Sequence, residues 1–94
     1  MSAESPRASR LPLYAGLALA GVGLAHFTSP TLFDSMTRQA FPRETRKHVY
    51  IDGGVETALG LGLVSRRTRK FALAGGIGYL AYLGANAARV NSAR

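Results

Sequence analysis

The sequence predicts an all-α membrane protein: a small bundle of about three short transmembrane helices, with an interfacial amphipathic helix between the first and second. All eleven glycines fall in three apolar blocks, Leu11 to Phe27, His48 to Val64 and Phe71 to Ala88. Most of the charge lies in the stretches between and around them, a segregation that the mean hydropathy of +0.05 conceals. At about 1.5 Å per residue the blocks reach roughly 25 to 27 Å, the short end of what crosses a ~30 Å hydrocarbon core. Repeated glycine weakens a helix in water by roughly 1 kcal/mol each against alanine, which argues against a soluble three-helix bundle. Membrane helices carry it more readily.

Residues 1–10 (MSAESPRASR) are polar and read as a short, partly disordered cytoplasmic tail. Arg7 and Arg10 ahead of an apolar stretch with small residues near its end also fit a secretory signal, but a retained first span, 11–27, is expected. In the segment that follows, Leu32, Phe33, Met36, Ala40 and Phe41 recur at helical spacing, with Asp34, Ser35, Arg38 and Gln39 between them. Ser29 and Pro30 mark a helix start and Pro42 a stop, giving a helix over 30–41. It lies either in the membrane interface or as a cap on the bundle. The second span is placed at 48–64 and the third at 71–88, with residues 91–94 as a C-terminal tail.

The formal net charge is +7 and the pI about 10.9. The bases flank apolar blocks and form no stripe, so nucleic acid is not an expected partner. Arg66, Arg67, Arg69 and Lys70 fill the short connector 65–70, where such clusters hold a loop on the cytoplasmic side and attract anionic headgroups. Six bases fall on each side of a three-span arrangement. The shortest and densest basic loop therefore decides for an N-terminus and 65–70 loop inside a bacterial inner membrane. There is no cysteine, which excludes disulfides and Cys-ligated metals or clusters in this chain.

Asp52 and Glu56 stand four residues apart within an otherwise apolar run, Glu56 at its middle. An ionised acid near the centre of a bilayer costs roughly 2.5 to 3.5 kcal/mol on insertion scales, so the pair marks a functional or assembly site. Asp52 lies near the start of its span, where pairing with Arg46 or Lys47 is expected. Gly54, Ala58 and Gly62 form a small stripe that admits a second helix. His26 closes the first span and Asn86 the third. Tyr79 and Tyr82 share a face with Asn86, which is expected to bond His26, Asp52 or an interfacial group. His26 and Glu56 read either as a structural lock or as a proton-handling pair.

The runs AGVGLAHFTSPTLFD, HVYIDGGVETALGLGL, SRRTRKFA and YLGAN occur in that order between Leu13 and Asn86. Together they resemble the DoxX-like family of small bacterial integral membrane proteins. The resemblance implies that His26, Phe27, Gly53, Glu56 and Asn86 occupy characteristic positions. Two features depart from the family pattern: three spans where members often have four, and Ala85 where proline commonly precedes the asparagine. A missing fourth helix implies homo-oligomers or a larger host. The leading expectation is an accessory or scaffolding subunit of an inner-membrane lipid-transport or respiratory assembly, contacting membrane lipids and other integral membrane proteins. A quinone-linked oxidoreductase subunit using His26 and Glu56 is the alternative, with quinone or lipid as the bound molecule. A proton or ion path through Asp52 and Glu56 is third. No metal site and no catalytic residue is expected.

Overall fold

The computed structural model describes residues 6–93, with side chains from Arg10 onward. Four helices follow in order: α1 (Pro6–Thr28), α2 (Asp34–Ala40), α3 (Thr45–Val64) and α4 (Arg69–Ser92). A 3₁₀ turn over Pro30–Phe33 leads into α2, and no strand occurs among the described residues. Each long helix outruns the apolar block that announces it. Hydropathy marks what a helix sits in, whereas its ends are set by backbone hydrogen bonding. Residues 6–10, expected in the polar tail, are therefore the first turns of α1, with Pro6 at the first helical position, where proline is tolerated. Residues 1–5 of that tail lie outside the described residues.

Among the described residues two helices are long and apolar enough to cross a membrane: Arg10–Thr28 of α1, and α4. α3 does not meet that standard, because Arg46, Lys47, Asp52 and Glu56 interrupt it. Only two of the three expected spans are thus found on length and apolarity.

α1 and α3 pack antiparallel along their glycines. Gly16, Ala20 and Gly23 are buried on α1, opposite buried Gly53 and Gly60 on α3. A Cβ built on Gly16 would lie 2.5 Å from the Gly60 carbonyl oxygen, and one on Gly23 would lie 2.5 Å from the Thr57 nitrogen. Main-chain atoms stand among the nearest at both positions, so a side-chain adjustment alone cannot make room. Thr57 keeps its hydroxyl satisfied by donating to the Gly53 carbonyl at 2.7 Å.

The small stripe expected at Gly54, Ala58 and Gly62 is divided between other surroundings. Gly54 and Ala58 are exposed, with open space where a Gly54 Cβ would stand. Gly62 lies against Ala72 of α4, whose Cβ would be 2.9 Å from its own. A step of one residue turns a helix face by about 100°, enough to exchange Gly54 for Gly53 as the contact.

α4 runs antiparallel to α3 and shares a capped turn with it. Thr68 Oγ1 donates to the Gly62 carbonyl at 2.7 Å. Arg69 donates from Nε to the Leu63 carbonyl at 2.8 Å and from a terminal nitrogen to the Val64 carbonyl at 3.3 Å. Three carbonyls that α3 would otherwise leave open are satisfied by residues at the start of α4. Arg66 and Arg67 are exposed, and Lys70 Nζ stands 5.3 Å from the centre of the Phe71 ring. Replacing Arg69 by alanine is expected to lower stability by roughly 1.5 to 3 kcal/mol, the worth of hydrogen bonds from a charged donor. Arg66→Ala is expected to leave stability unchanged. Unfolding in detergent, followed by helical circular dichroism, compares the two.

α2 closes one end of the bundle. Thr37 and Phe41 are buried, and the Phe41 ring stacks on His48 with centroids 3.9 Å apart. Leu32 and Met36 face outward at 73% and 71% exposure, so the segment keeps apolar side chains on both its inner and outer sides. Arg46 grips Asp34 with two bonds of 2.8 and 3.2 Å, and its guanidinium holds the Asp34 carboxyl below the usual carboxylate range. Lys47 lies 3.9 Å from Glu44. Neither base pairs with Asp52, contrary to the sequence expectation, because Arg46 is taken by Asp34 of α2 and Lys47 lies beside Glu44 at the helix start. Glu44 itself takes the left-handed backbone conformation at φ 55, which turns the chain into α3.

Candidate functional site

Beneath α2, the end of α1 and the middles of α3 and α4 enclose a cleft of about 350 Å³. Its walls are mostly apolar, with Phe33, Met36, Phe41, Leu80 and Leu83 among them, and His26, Asp52, Glu56 and Tyr79 supply the polar groups. The glycine contact is what places them. A Cβ on Gly53 would lie 2.5 Å from that of His26, so the tight crossing brings the α1 imidazole directly onto the acidic face of α3.

His26 is 4% exposed, and its ring lies against Phe33 at 3.6 Å between centroids, with the planes 15° apart. Its Nδ1 is 2.8 Å from the Val22 carbonyl. A carbonyl only accepts, so Nδ1 carries a proton and Nε2 is the nitrogen turned to the cleft. That nitrogen stands 3.9 Å from Glu56 Oε2. The separation is that of an ion pair when the imidazole is protonated, and is too long for a hydrogen bond.

Tyr79 of α4 donates its phenolic hydrogen to the same Glu56 oxygen at 2.8 Å. One carboxyl oxygen therefore faces groups from both neighbouring helices. Asp52, one turn earlier on α3, is only 5% exposed, and its Oδ1 has no hydrogen-bond partner among the described residues. A buried oxygen left in this way costs roughly 1 to 3 kcal/mol, which makes it a feature needing a reason.

Of the residues singled out by sequence, His26, Asp52 and Glu56 come together and Asn86 stays apart. Asn86 donates to the Tyr82 carbonyl at 2.8 Å and accepts from Arg89, so its amide is used within α4. Tyr79 is the member that sequence reasoning undervalued, since a tyrosine in an apolar span is ordinarily packing with one hydrogen bond. Its place on α4, one helical face with Tyr82 and Asn86, was the available signal. Among the described residues no group of three potential ligands could hold a metal ion.

A protein-family model covers residues 8–94, and the chain belongs to the family it describes, Domain of unknown function (DUF8561). Neither a curated protein nor a solved structure matches the chain. The family description assigns no chemistry, so function rests on the residues themselves.

Proposed function

We propose that the protein is a small integral membrane subunit in which α1, α3 and α4 all cross the bilayer, docking through the outer face of α4 onto a larger membrane assembly. The observation that carries this reading is the state of α4. Over 24 residues it buries only Ala72, while Leu73 and Ile77 are 56% and 72% exposed. Nothing lies within 4 Å of a Cβ built on Gly76, Gly78 or Gly84. Apolar side chains turned outward beside open glycines suit lipid and a closely approaching helix, and do not suit water.

α3 crosses in this reading despite its charges because it stands between the other two. Asp52 and Glu56 face His26, Tyr79 and the cleft, and the exposed residues of α3 include Ile51 and Leu61. α2 then lies at the surface with Leu32 and Met36 toward lipid. Exposed Arg66, Arg67 and Lys70 keep the α3–α4 turn on the cytoplasmic side of a bacterial inner membrane, with the N-terminus on that side too. A distant relation to DoxX-like proteins is supported by the meeting of His26 and Glu56, the residues that carry that resemblance.

Native mass spectrometry after gentle extraction from the source membrane tests the reading through Gly78→Leu. The position is open where a Cβ would stand, so the substitution adds helix propensity with no clash at the first side-chain atom. The expected outcome is a normally inserted protein that no longer co-purifies with its larger assembly. If the unsubstituted chain runs alone at about its own 10.0 kDa mass, the subunit reading is wrong. The quinone alternative draws on the His26, Glu56 and Tyr79 arrangement. Quinone carbonyls require donors, however, and Tyr79 already donates to Glu56 while Asp52 presents a free acceptor.

A further inference from the structure

We propose that the cleft under α2 is a binding site for a primary ammonium ion carried on an apolar group. Two carboxyl groups reach this cleft, and no lysine or arginine lines it among the described residues. The acidic pair alone would not define a ligand. The second observation is Asp52 itself, a residue of the cleft lining whose side chain is 5% exposed and whose Oδ1 has no hydrogen-bond partner among the described residues. It calls for a donor from outside the protein.

The geometry narrows the donor further. Glu56 Oε2 accepts from Tyr79 and faces His26 Nε2, so that oxygen is already served from the protein. An incoming group must therefore offer hydrogen to Asp52 Oδ1 and positive charge to two acids one helical turn apart. A primary ammonium does both, with three N–H bonds and a compact charge. A quaternary ammonium has charge but no hydrogen to give.

The walls supply the rest of the match. Phe33, Phe41, Leu80 and Leu83 line the same cleft as the acids and give it an apolar wall for the group that carries the ammonium. A volume of about 350 Å³ falls in the range of small-ligand sites and admits an arylalkyl or alkyl tail beside the ammonium. The same chemistry is offered by two sources, a free amine and the ethanolamine headgroup of a phospholipid. The inference goes beyond docking through α4 and does not depend on it.

Titration calorimetry of the full chain in neutral maltoside micelles, with 2-phenylethylamine and its uncharged counterpart 2-phenylethanol, tests the site. The expected result is a preference for the amine of at least about tenfold, as for a charge-assisted bond over a neutral one. Asp52→Asn is expected to weaken amine binding by a similar factor with helical content unchanged. Repeating the titration after adding phosphatidylethanolamine separates the sources: competition assigns the lipid headgroup, and undiminished binding assigns a free amine. Equal binding of amine and alcohol by the unsubstituted chain overturns the proposal. So does absence of amine binding from chain freed of phosphatidylethanolamine, or an Asp52→Asn protein that binds the amine as before. Because the amine and alcohol are compared on the unsubstituted chain, the result stands even where the variant fails to fold.

Discussion

Replacing Gly60 by valine is expected to separate α1 from α3 and with it to dismantle the protein. The new Cβ would fall inside contact distance of the Ala20 backbone nitrogen and 2.5 Å from the Gly16 carbonyl oxygen. Both are main-chain atoms in the middle of a helix, so relief requires the helices themselves to move apart. Moving them apart gives up the contacts that bury Gly16, Ala20, Gly23 and Gly53, and draws His26 away from α3. Overpacking of a well-filled interior commonly costs 1 to 3 kcal/mol, and clashes with backbone on this scale belong at or beyond the upper end. The measurement is the unfolding midpoint in detergent beside Gly54→Val, whose new atoms meet open space. Gly60→Val should abolish a cooperative transition while Gly54→Val keeps it. A tolerated Gly60→Val would mean that α1 and α3 do not meet along these glycines.

Asp52→Asn is expected to act in the opposite direction and make the protein more stable, by roughly 1 to 3 kcal/mol. The substitution preserves shape and removes an acid held four residues from another on the same helical face. It also ends the burial of an unpartnered carboxyl oxygen, since an amide is far less costly to take out of water than a charge. No hydrogen bond within the chain is lost at Oδ1, because none is made there. Thermal unfolding of the two proteins in the same micelle decides it. A destabilised Asp52→Asn would show that the carboxyl has a structural partner after all. A stabilised one that has lost amine binding is the signature of a residue kept for what it binds.

The elements were legible to different depths. α1 and α4 could be located because apolar composition is a direct record of the surface each presents. Their true ends could not, since Pro6 to Arg10 and Arg89 to Ser92 are helical through backbone bonding that hydropathy does not register. For His26 and Glu56 the sequence offered a structural lock beside a proton-handling pair; the two side chains stand 3.9 Å apart, and the hydrogen bond to Glu56 comes from Tyr79. The choice of Gly53 over Gly54 was not legible. Adjacent glycines are equivalent until a partner is specified, although Gly16 and Gly23 repeat at seven residues, as do Gly53 and Gly60. Asp52 was misplaced for a related reason. Its nearness to Arg46 and Lys47 in sequence suggested a surface pair, but Asp34 from α2 is the group that captures Arg46.

The pairing of α1 with α3, passing over α2, also has a meaning in time. Gly23 meets Gly53 and Gly16 meets Gly60, forty-four residues later in the chain, so the glycines of the first helix to be synthesised find no partner until α3 follows it. Local turns form early, and contacts across long stretches of chain must wait for closure. α4 arrives last, bringing Tyr79 to Glu56 and the wall of Leu80 and Leu83. The nascent chain therefore carries both acids of α3 before it carries the pocket, and the pocket comes into being with the final helix.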